Sequence, residues 1–148
     1  MNIQIKPYND HDEQALLAII QLNVPTYFAQ EEVEDLREYL RHHIDMYFTV
    51  FDNDTIIGGG GINRTKETKL GALSWAFLHP DYQQKGIGGL LLEHRLNILK
   101  QDADVETIRV RTSQVVYPFF EKKGFKTIDV QADYWAKGLD LYEMVYLK

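Results

Sequence analysis

Trp75-Ala76-Phe77-Leu78-His79-Pro80-Asp81-Tyr82-Gln83-Gln84-Lys85-Gly86-Ile87-Gly88-Gly89-Leu90-Leu91-Leu92 runs from an apolar strand, through a tight turn at His79-Pro80-Asp81 and a glycine-bearing segment, Gln83 to Gly89, into a leucine-rich helix. A loop that opens a helix aims unpaired backbone N–H groups at one point, in line with the positive end of the helix dipole. That arrangement binds phosphate. Gly86 and Gly88 remove the Cβ atoms that would hold a phosphate away, and they permit φ > 0. Lys85 adds a cation beside them. A P-loop needs G-x-x-x-x-G-K-[ST], which is absent, and the last glycine of the dinucleotide fingerprint G-x-G-x-x-G would fall at Leu91. Both of these motifs fail on residues.

On the N-terminal side, Ile3 and Ile5 alternate with polar residues and predict a first strand. Asp10 and Glu13 have capping-box spacing ahead of Ala15, Leu16, Ile19 and Ile20, which recur at helical intervals until Pro25. A second helix is expected from Gln30 to Ile44, with Val33, Leu36, Leu40 and Ile44 as its apolar stripe and its glutamates as a solvated face. Tyr47 to Phe51 and Thr55 to Ile62 read as strands joined at Asp52-Asn53-Asp54, and Leu73 to Leu78 follows as a third. The run Gly58 to Gly61 reads as a bulged or tightly packed strand, or as a close approach to an acceptor.

On the C-terminal side, a helix from Gly88 to Leu99, a strand from Thr107 to Arg111 and a short helix from Gln114 to Lys123 are expected, with Gly124 as the C′ residue. Phe125 to Val130 and Leu139 to Leu147 complete the order as strands. The unit from Leu73 to Arg111 has the form of a right-handed βαβ crossover, while the earlier strands are hairpin-linked. The expected architecture is α/β: a mixed, mostly antiparallel sheet of about seven strands flanked by helices, with one parallel pair in its middle.

The length of 148 residues predicts one domain, spanning 1–148. Without cysteine, disulfides, thiolate zinc sites and a cysteine nucleophile are excluded. No histidine pair has a metal-binding spacing, and no metal is expected. A net charge of -6 argues against a nucleic-acid partner met through a basic surface. No apolar run reaches membrane-spanning length, and the N-terminus lacks signal-peptide character, so a cytoplasmic protein without a membrane partner is the expectation.

Gln83-Gln84-Lys85-Gly86-Ile87-Gly88 resembles the acetyl-CoA loop [Q/R]-x-x-G-x-[G/A] of the GNAT acetyltransferases, in the same strand–turn–loop–helix setting. Tyr117-Pro118-Phe119-Phe120-Glu121-Lys122-Lys123-Gly124-Phe125 is similar to that family's later motif, F-Y-E-K-x-G-F. The resemblance implies acetyl-CoA as cosubstrate, with Gln83, Gln84, Lys85, Gly86, Ile87, Gly88 and Gly89 around its pyrophosphate. It implies a bulge in the strand before the loop, with free backbone groups of Phe77 and Leu78 on the pantetheine and thioester. It also implies that the parallel strands splay, and that the cofactor occupies the gap. Ser113 stands where the family often has a CoA-contacting Asn, though a helix N-cap is an equal role for it.

The family's later motif often supplies a tyrosine that protonates the departing thiolate. Phe120 occupies that position here and has no proton to give. Tyr117 lies three residues earlier and is the candidate acid, with water as the other source. Glu31, Glu32, His42, His43 and His79 are candidates for the base, each at a position that reads as surface or turn. Tyr27, Phe28, Trp75, Tyr134 and Trp135 are candidates for the wall of an acceptor pocket, Tyr134 and Trp135 in an expected loop. The expected acceptor is an amine on a small molecule or peptide. A homodimer and a catalytically degenerate CoA-binding module are further readings.

Overall fold

The computed structural model describes all of residues 1–148. Its strands are β1 (Ile3–Pro7), β2 (Met46–Asp52), β3 (Thr55–Thr65), β4 (Leu70–Leu78), β5 (Thr107–Thr112), β6 (Lys126–Ala136) and β7 (Leu139–Leu147). Its helices are α1 (Glu13–Leu22), α2 (Glu31–His42), α3 (Ile87–Gln101) and α4 (Tyr117–Lys122). The expected order of elements is present throughout. One seven-stranded sheet runs β1-β2-β3-β4-β5-β7-β6, and every neighbouring pair is antiparallel except β4 and β5. No helix is long and apolar enough to cross a membrane.

Alternation along β2 assigns the two faces of the sheet. Tyr47 packs with Leu16, Ile20, Leu36 and Leu40, so α1 and α2 cover one face. Phe48 packs with Leu92, Leu96, Leu99 and Phe120, so α3 and α4 cover the other. Gly88 and Gly89 weaken the first turn of α3 by about 1 kcal/mol each. Burial of Leu91, Leu92, Leu96 and Leu99 at ~1.5–3 kcal/mol each more than offsets this.

The parallel pair is short. Leu70 to Leu73 pair with Thr107 to Val110, and beyond Leu73 the two strands share no register. On its other side β4 changes register against β3, where Gly59 faces Phe77 but Gly61 faces Ser74. The extra residue is a bulge at Trp75-Ala76, and Trp75 takes a φ of 48°. Stacking on Phe28 and a 2.7 Å hydrogen bond from the Tyr47 hydroxyl to the Trp75 carbonyl hold that conformation in place. The glycine run of β3 makes room for this packing. A Cβ on Gly58 would lie 2.3 Å from the Phe77 carbonyl oxygen, and one on Gly61 would lie 2.6 Å from the Tyr47 ring. The tightly packed alternative for Gly58 to Gly61 is the one found.

Several local expectations shift. The capping box sits one residue early: the Asn9 side chain accepts from His11, Asp12 reaches back to the Asn9 N–H, and a short 3-10 turn precedes α1. Helix α2 ends at His42, short of Ile44. Tyr134 and Trp135 lie within β6 rather than in a loop, beyond a register shift that begins at Gln131. Gly124 has a φ of 97° and ends α4 as expected.

Candidate active site

The loop before α3 presents its amides without internal competition. None of the backbone N–H groups of Gln84 through Gly89 donates to another protein group, and the first bond of the helix is Leu90 N–H to the Gly86 carbonyl at 3.2 Å. Gly86 has a φ of 82° and enters α3 in the left-handed region. A Cβ on Gly86 would meet nothing within 4 Å, and one on Gly88 would come no nearer than 3.9 Å to Phe119. Gly86 therefore leaves open space in front of the free amides, and Gly88 leaves room bounded only by the Phe119 ring, which fits a phosphate group. Ile87 contributes only its N–H, because its side chain is buried with Val50, Ile57 and Leu91 and anchors the loop.

The loop is tied to the end of β4 by side-chain amides. Asn23 is only 2% exposed, and its Nδ2 donates to the carbonyls of Ile19 and Leu78, each at 3.0 Å. Gln83 Nε2 donates to Asn23 Oδ1 at 2.8 Å and to the Leu78 carbonyl at 3.2 Å. Gln83 is thus a brace for the loop through its side chain. His79 N–H donates to the Ile57 carbonyl at 2.7 Å, so antiparallel alternation turns the Leu78 N–H away from β3 and toward the splay. Phe77 turns its backbone groups to Gly59 in the same register. Of the two expected residues, Leu78 offers the free donor, and its carbonyl is already taken.

The splay opens into a cleft of about 990 Å³, lined by Leu78, Gln84, Gly86, Gly88 and Gly89 at one end. Ser113, Pro118, Phe119 and Phe120 wall the same end. The cleft continues through the sheet to the α1–α2 side, where Tyr27, Phe28, Trp75 and Trp135 line it as expected. Tyr134 does not line it; it packs against Trp135 and donates nothing to the cleft wall, its hydroxyl accepting from Arg111 at 2.7 Å.

Glu32 is the titratable group that stands out on that side. It lines the cleft and is only 9% exposed, contrary to the surface position its sequence context suggested. Its Oε2 accepts from the Ala29 N–H at 2.8 Å, and Oε1 has no protein partner. Burial pushes its carboxyl up to about 7, helped by the negative charges of Asp35 and Glu31 and opposed by the Ala29 bond. Glu31 and His42 are exposed, while His79 caps its own turn by accepting from the Asp81 N–H at 3.0 Å. His43 is exposed but reaches the cleft rim, and its carbonyl accepts from Asn63 at 2.8 Å.

Other expected residues fall as follows. Tyr117 stacks on Tyr142 with ring centroids 4.3 Å apart and does not line the cleft, so helical spacing from Phe120 does not bring its phenol to the site. Ser113 is buried and lines the cleft; its Oγ accepts from the Val115 N–H at 3.2 Å, which closes a turn ahead of α4, whose N-cap is Val116 with no side-chain cap bond, so the capping role does not fall to Ser113. Lys85 places its ammonium 5.7 Å from the Tyr82 ring centroid and is absent from the cleft wall. Lys123, which sequence did not single out, lies beside the helix start instead: its Nζ is 3.8 Å from where a Cβ on Gly89 would sit.

A mixed sheet parted between two parallel strands, with free helix-start amides at the parting, makes a fold and a site suited to a phosphate-bearing ligand. Residues 9–148 match the family model described as an acetyltransferase (GNAT) domain. An N-alpha-acetyltransferase of Saccharolobus solfataricus is 31% identical over 136 residues, covering 82% of this chain and 77% of that protein. An amino-acid acetyltransferase of Escherichia coli is 27% identical over 94 residues, covering 64% of this chain and only 21% of that protein. Among solved structures, the ribosomal-protein-S18-alanine N-acetyltransferase from Escherichia coli superposes with a TM-score of 0.81 at 18% identity, covering 98% of this chain and 93% of that one. The chain belongs to the GNAT acetyltransferase family, and it spans about a fifth of the length of the amino-acid acetyltransferases it matches.

Proposed function

We propose that this chain transfers the acetyl group of acetyl-CoA to a primary amine by direct attack within a ternary complex. The observation that carries this is the continuity of one cleft from the free amides of Gln84–Gly89 to the buried carboxyl of Glu32. Names among the relatives, amino-acid and N-alpha-acetyltransferase, support an amine as the acceptor.

Acetyl-CoA supplies an acetyl group activated as a thioester. The amides of Gln84 to Gly89, with Lys123 beside them, bind its pyrophosphate. The Leu78 N–H donates to the thioester carbonyl oxygen as negative charge develops there, a contribution of roughly 3 kcal/mol for one such donor. An alkyl ammonium with a pKa of ~10.4 costs roughly 4–5 kcal/mol to deprotonate at pH 7. Glu32, poised at about 7 by burial, takes that proton directly or through one water. The amine nitrogen then bonds to the carbonyl carbon and gives up a second proton to water, the C–S bond breaks, and the thiolate leaves. Phe120 cannot protonate it, and Tyr117 lies off the cleft, so water supplies that proton.

Thermal shift with acetyl-CoA, followed by thiol release over a panel of amines and peptides, tests the reading. Stabilisation by acetyl-CoA together with amine-dependent thiol release is the expected result. Stabilisation without turnover on any amine would establish the CoA-binding module instead.

A further inference from the structure

Arg95 projects from α3 into the bulge of the sheet and is only 2% exposed. Its Nη1 donates to the Gly61 carbonyl at 3.2 Å and its Nε to the Leu91 carbonyl at 3.4 Å, while Nη2 has no partner. No carboxylate pairs with it; the titratable groups that face it are the hydroxyls of Tyr39 and Tyr47, which are neutral because burial raises both and which are engaged with Asn63 and with the Trp75 carbonyl. Burial lowers the guanidinium only to about 10, so it remains a cation at neutral pH. Arg109, on β5, makes no ion pair, and its Nε is buried without a hydrogen-bond partner. A guanidinium withdrawn from water is costly to leave without an anion, and here one buried and one half-buried guanidinium line the same cleft.

The phosphates of acetyl-CoA are not the missing anion. Arg95 lies eight residues into α3 from Ile87, about 12 Å along the axis from the amides that take phosphate. Ile108 and Val110 pack with Leu92 and Leu96, so alternation turns Arg109 to the opposite face of the sheet, the face of α1, α2 and Glu32. Arg109 pairs with Ala72, two residues along β4 from Ser74, which pairs with the Gly61 that holds Arg95, so the two positions are offset by about 7 Å along the strand, with Arg95 reaching the cleft from the α3 side and Arg109 from the α1–α2 side. Arg111, the third arginine of the cleft, is already engaged by Glu143 at 3.6 Å and by the Tyr134 hydroxyl. The cleft thus carries a positive pole at Arg95 and Arg109 and a carboxyl at Glu32, and neither is neutralised by the other or by a neighbour of opposite charge. This polarity runs against a net charge of -6 for the whole chain.

We propose that the acceptor is a zwitterion, a primary amine that also bears a carboxylate, with Arg95 and Arg109 holding the carboxylate and Glu32 receiving the amine. Guanidinium groups match a carboxylate in a planar, paired geometry, so the two poles orient one molecule across the acceptor end of the cleft. The inference rests on the acetyl-transfer reading above and narrows its acceptor. An N-terminal peptide amine, whose carboxylate is remote, lacks the complement that the arginines require.

The test is thiol release from acetyl-CoA with paired probes: the protein α-amino acids, β-alanine and 4-aminobutyrate, each beside its own amide. At least one free acid is expected to exceed its amide by tenfold or more in kcat/KM. Arg109→Gln should reduce that ratio to below about threefold by raising KM for the acid, with KM for acetyl-CoA unchanged. Arg95→Gln should do the same, but it removes a buried side chain, so the half-buried Arg109 variant decides if Arg95→Gln fails to fold. Amides turned over as well as acids, or turnover confined to amines and peptides without a nearby carboxylate, would overturn the zwitterion and leave acetyl transfer standing. Equal losses for acid and amide in Arg109→Gln would also overturn it, by placing the arginine at the thioester. Absence of thiol release with every amine, acid, amide and peptide would remove both readings.

Discussion

At the level of single residues, the proposed mechanism makes Glu32 the group that sets the pH behaviour. Kcat/KM for the amine should rise with pH through about 7, as the Glu32 carboxyl ionises, and then level off. Glu32→Gln should cut kcat/KM by about 10²–10³ and abolish that rise, with KM for acetyl-CoA unaffected; a variant that kept both rate and profile would remove Glu32 as the base. The same burial has a thermodynamic consequence. The folded-state pKa lies above the ordinary carboxyl value, so the native protein binds the extra proton between the two values. The contribution of Glu32 to stability is present at low pH and is lost as pH rises through about 7. Glu32→Gln should therefore melt higher than the parent at pH 8.5 and lose that advantage toward pH 4, which thermal denaturation would show. Tyr117→Phe, in contrast, should leave kcat within about twofold, because its ring sits on Tyr142 and away from the cleft. The signal for Glu32 was in the sequence but masked. It stands four residues before Leu36 and eight before Leu40, on the buried stripe, yet within an acidic run whose other members are solvated.

At the level of elements, the helix start and the bulged strand can be separated by mutation. Gly86 adopts a left-handed φ, so a valine there would add backbone strain to any effect on ligand binding. Gly88 lies in the helix, where a Cβ would only touch the Phe119 ring, and Gly88→Ala should weaken acetyl-CoA binding at least tenfold while Tm stays within about 2 °C. Calorimetry showing unchanged affinity would move the phosphate site elsewhere. Gly58→Ala should have the opposite profile. Its Cβ would press on the Phe77 carbonyl oxygen, so β3 and β4 must part, at a cost of about 1–3 kcal/mol in stability read by urea unfolding. The strand–loop–helix unit was legible because an apolar strand, a turn, two glycines and a leucine stripe each carry a local signal. The full length of β6 was not. It is an edge strand exposed from Lys126 to Tyr134, so no buried face imposes alternation on its sequence. The braces at Asn23 and Gln83 were also invisible, since 60 residues separate the two amides and only the tertiary fold brings them together.

Across the whole molecule, the parting of β4 and β5 joins the two faces of the sheet. The amides of the α3 loop belong to the α3–α4 side, and Glu32 belongs to the α1–α2 side, yet both border one cleft. Two substrates can therefore enter from opposite faces and meet beside Leu78 without either leaving first. A relay through the protein would need a nucleophile at that meeting point. The chain has no cysteine, and Ser74, a hydroxyl on the cleft wall, is spent as a donor to Asn63 Oδ1 at 2.7 Å, with no histidine hydrogen-bonded to it as a base. Initial-velocity plots against acetyl-CoA at several fixed amine concentrations should thus intersect, as a ternary complex requires. Incubation with acetyl-CoA alone should leave the mass of the intact protein unchanged. Parallel lines, or a gain in mass equal to one acetyl group that the amine then discharges, would show that the acetyl group rests on the protein, and the open cleft would have to be read as two half-sites used in turn.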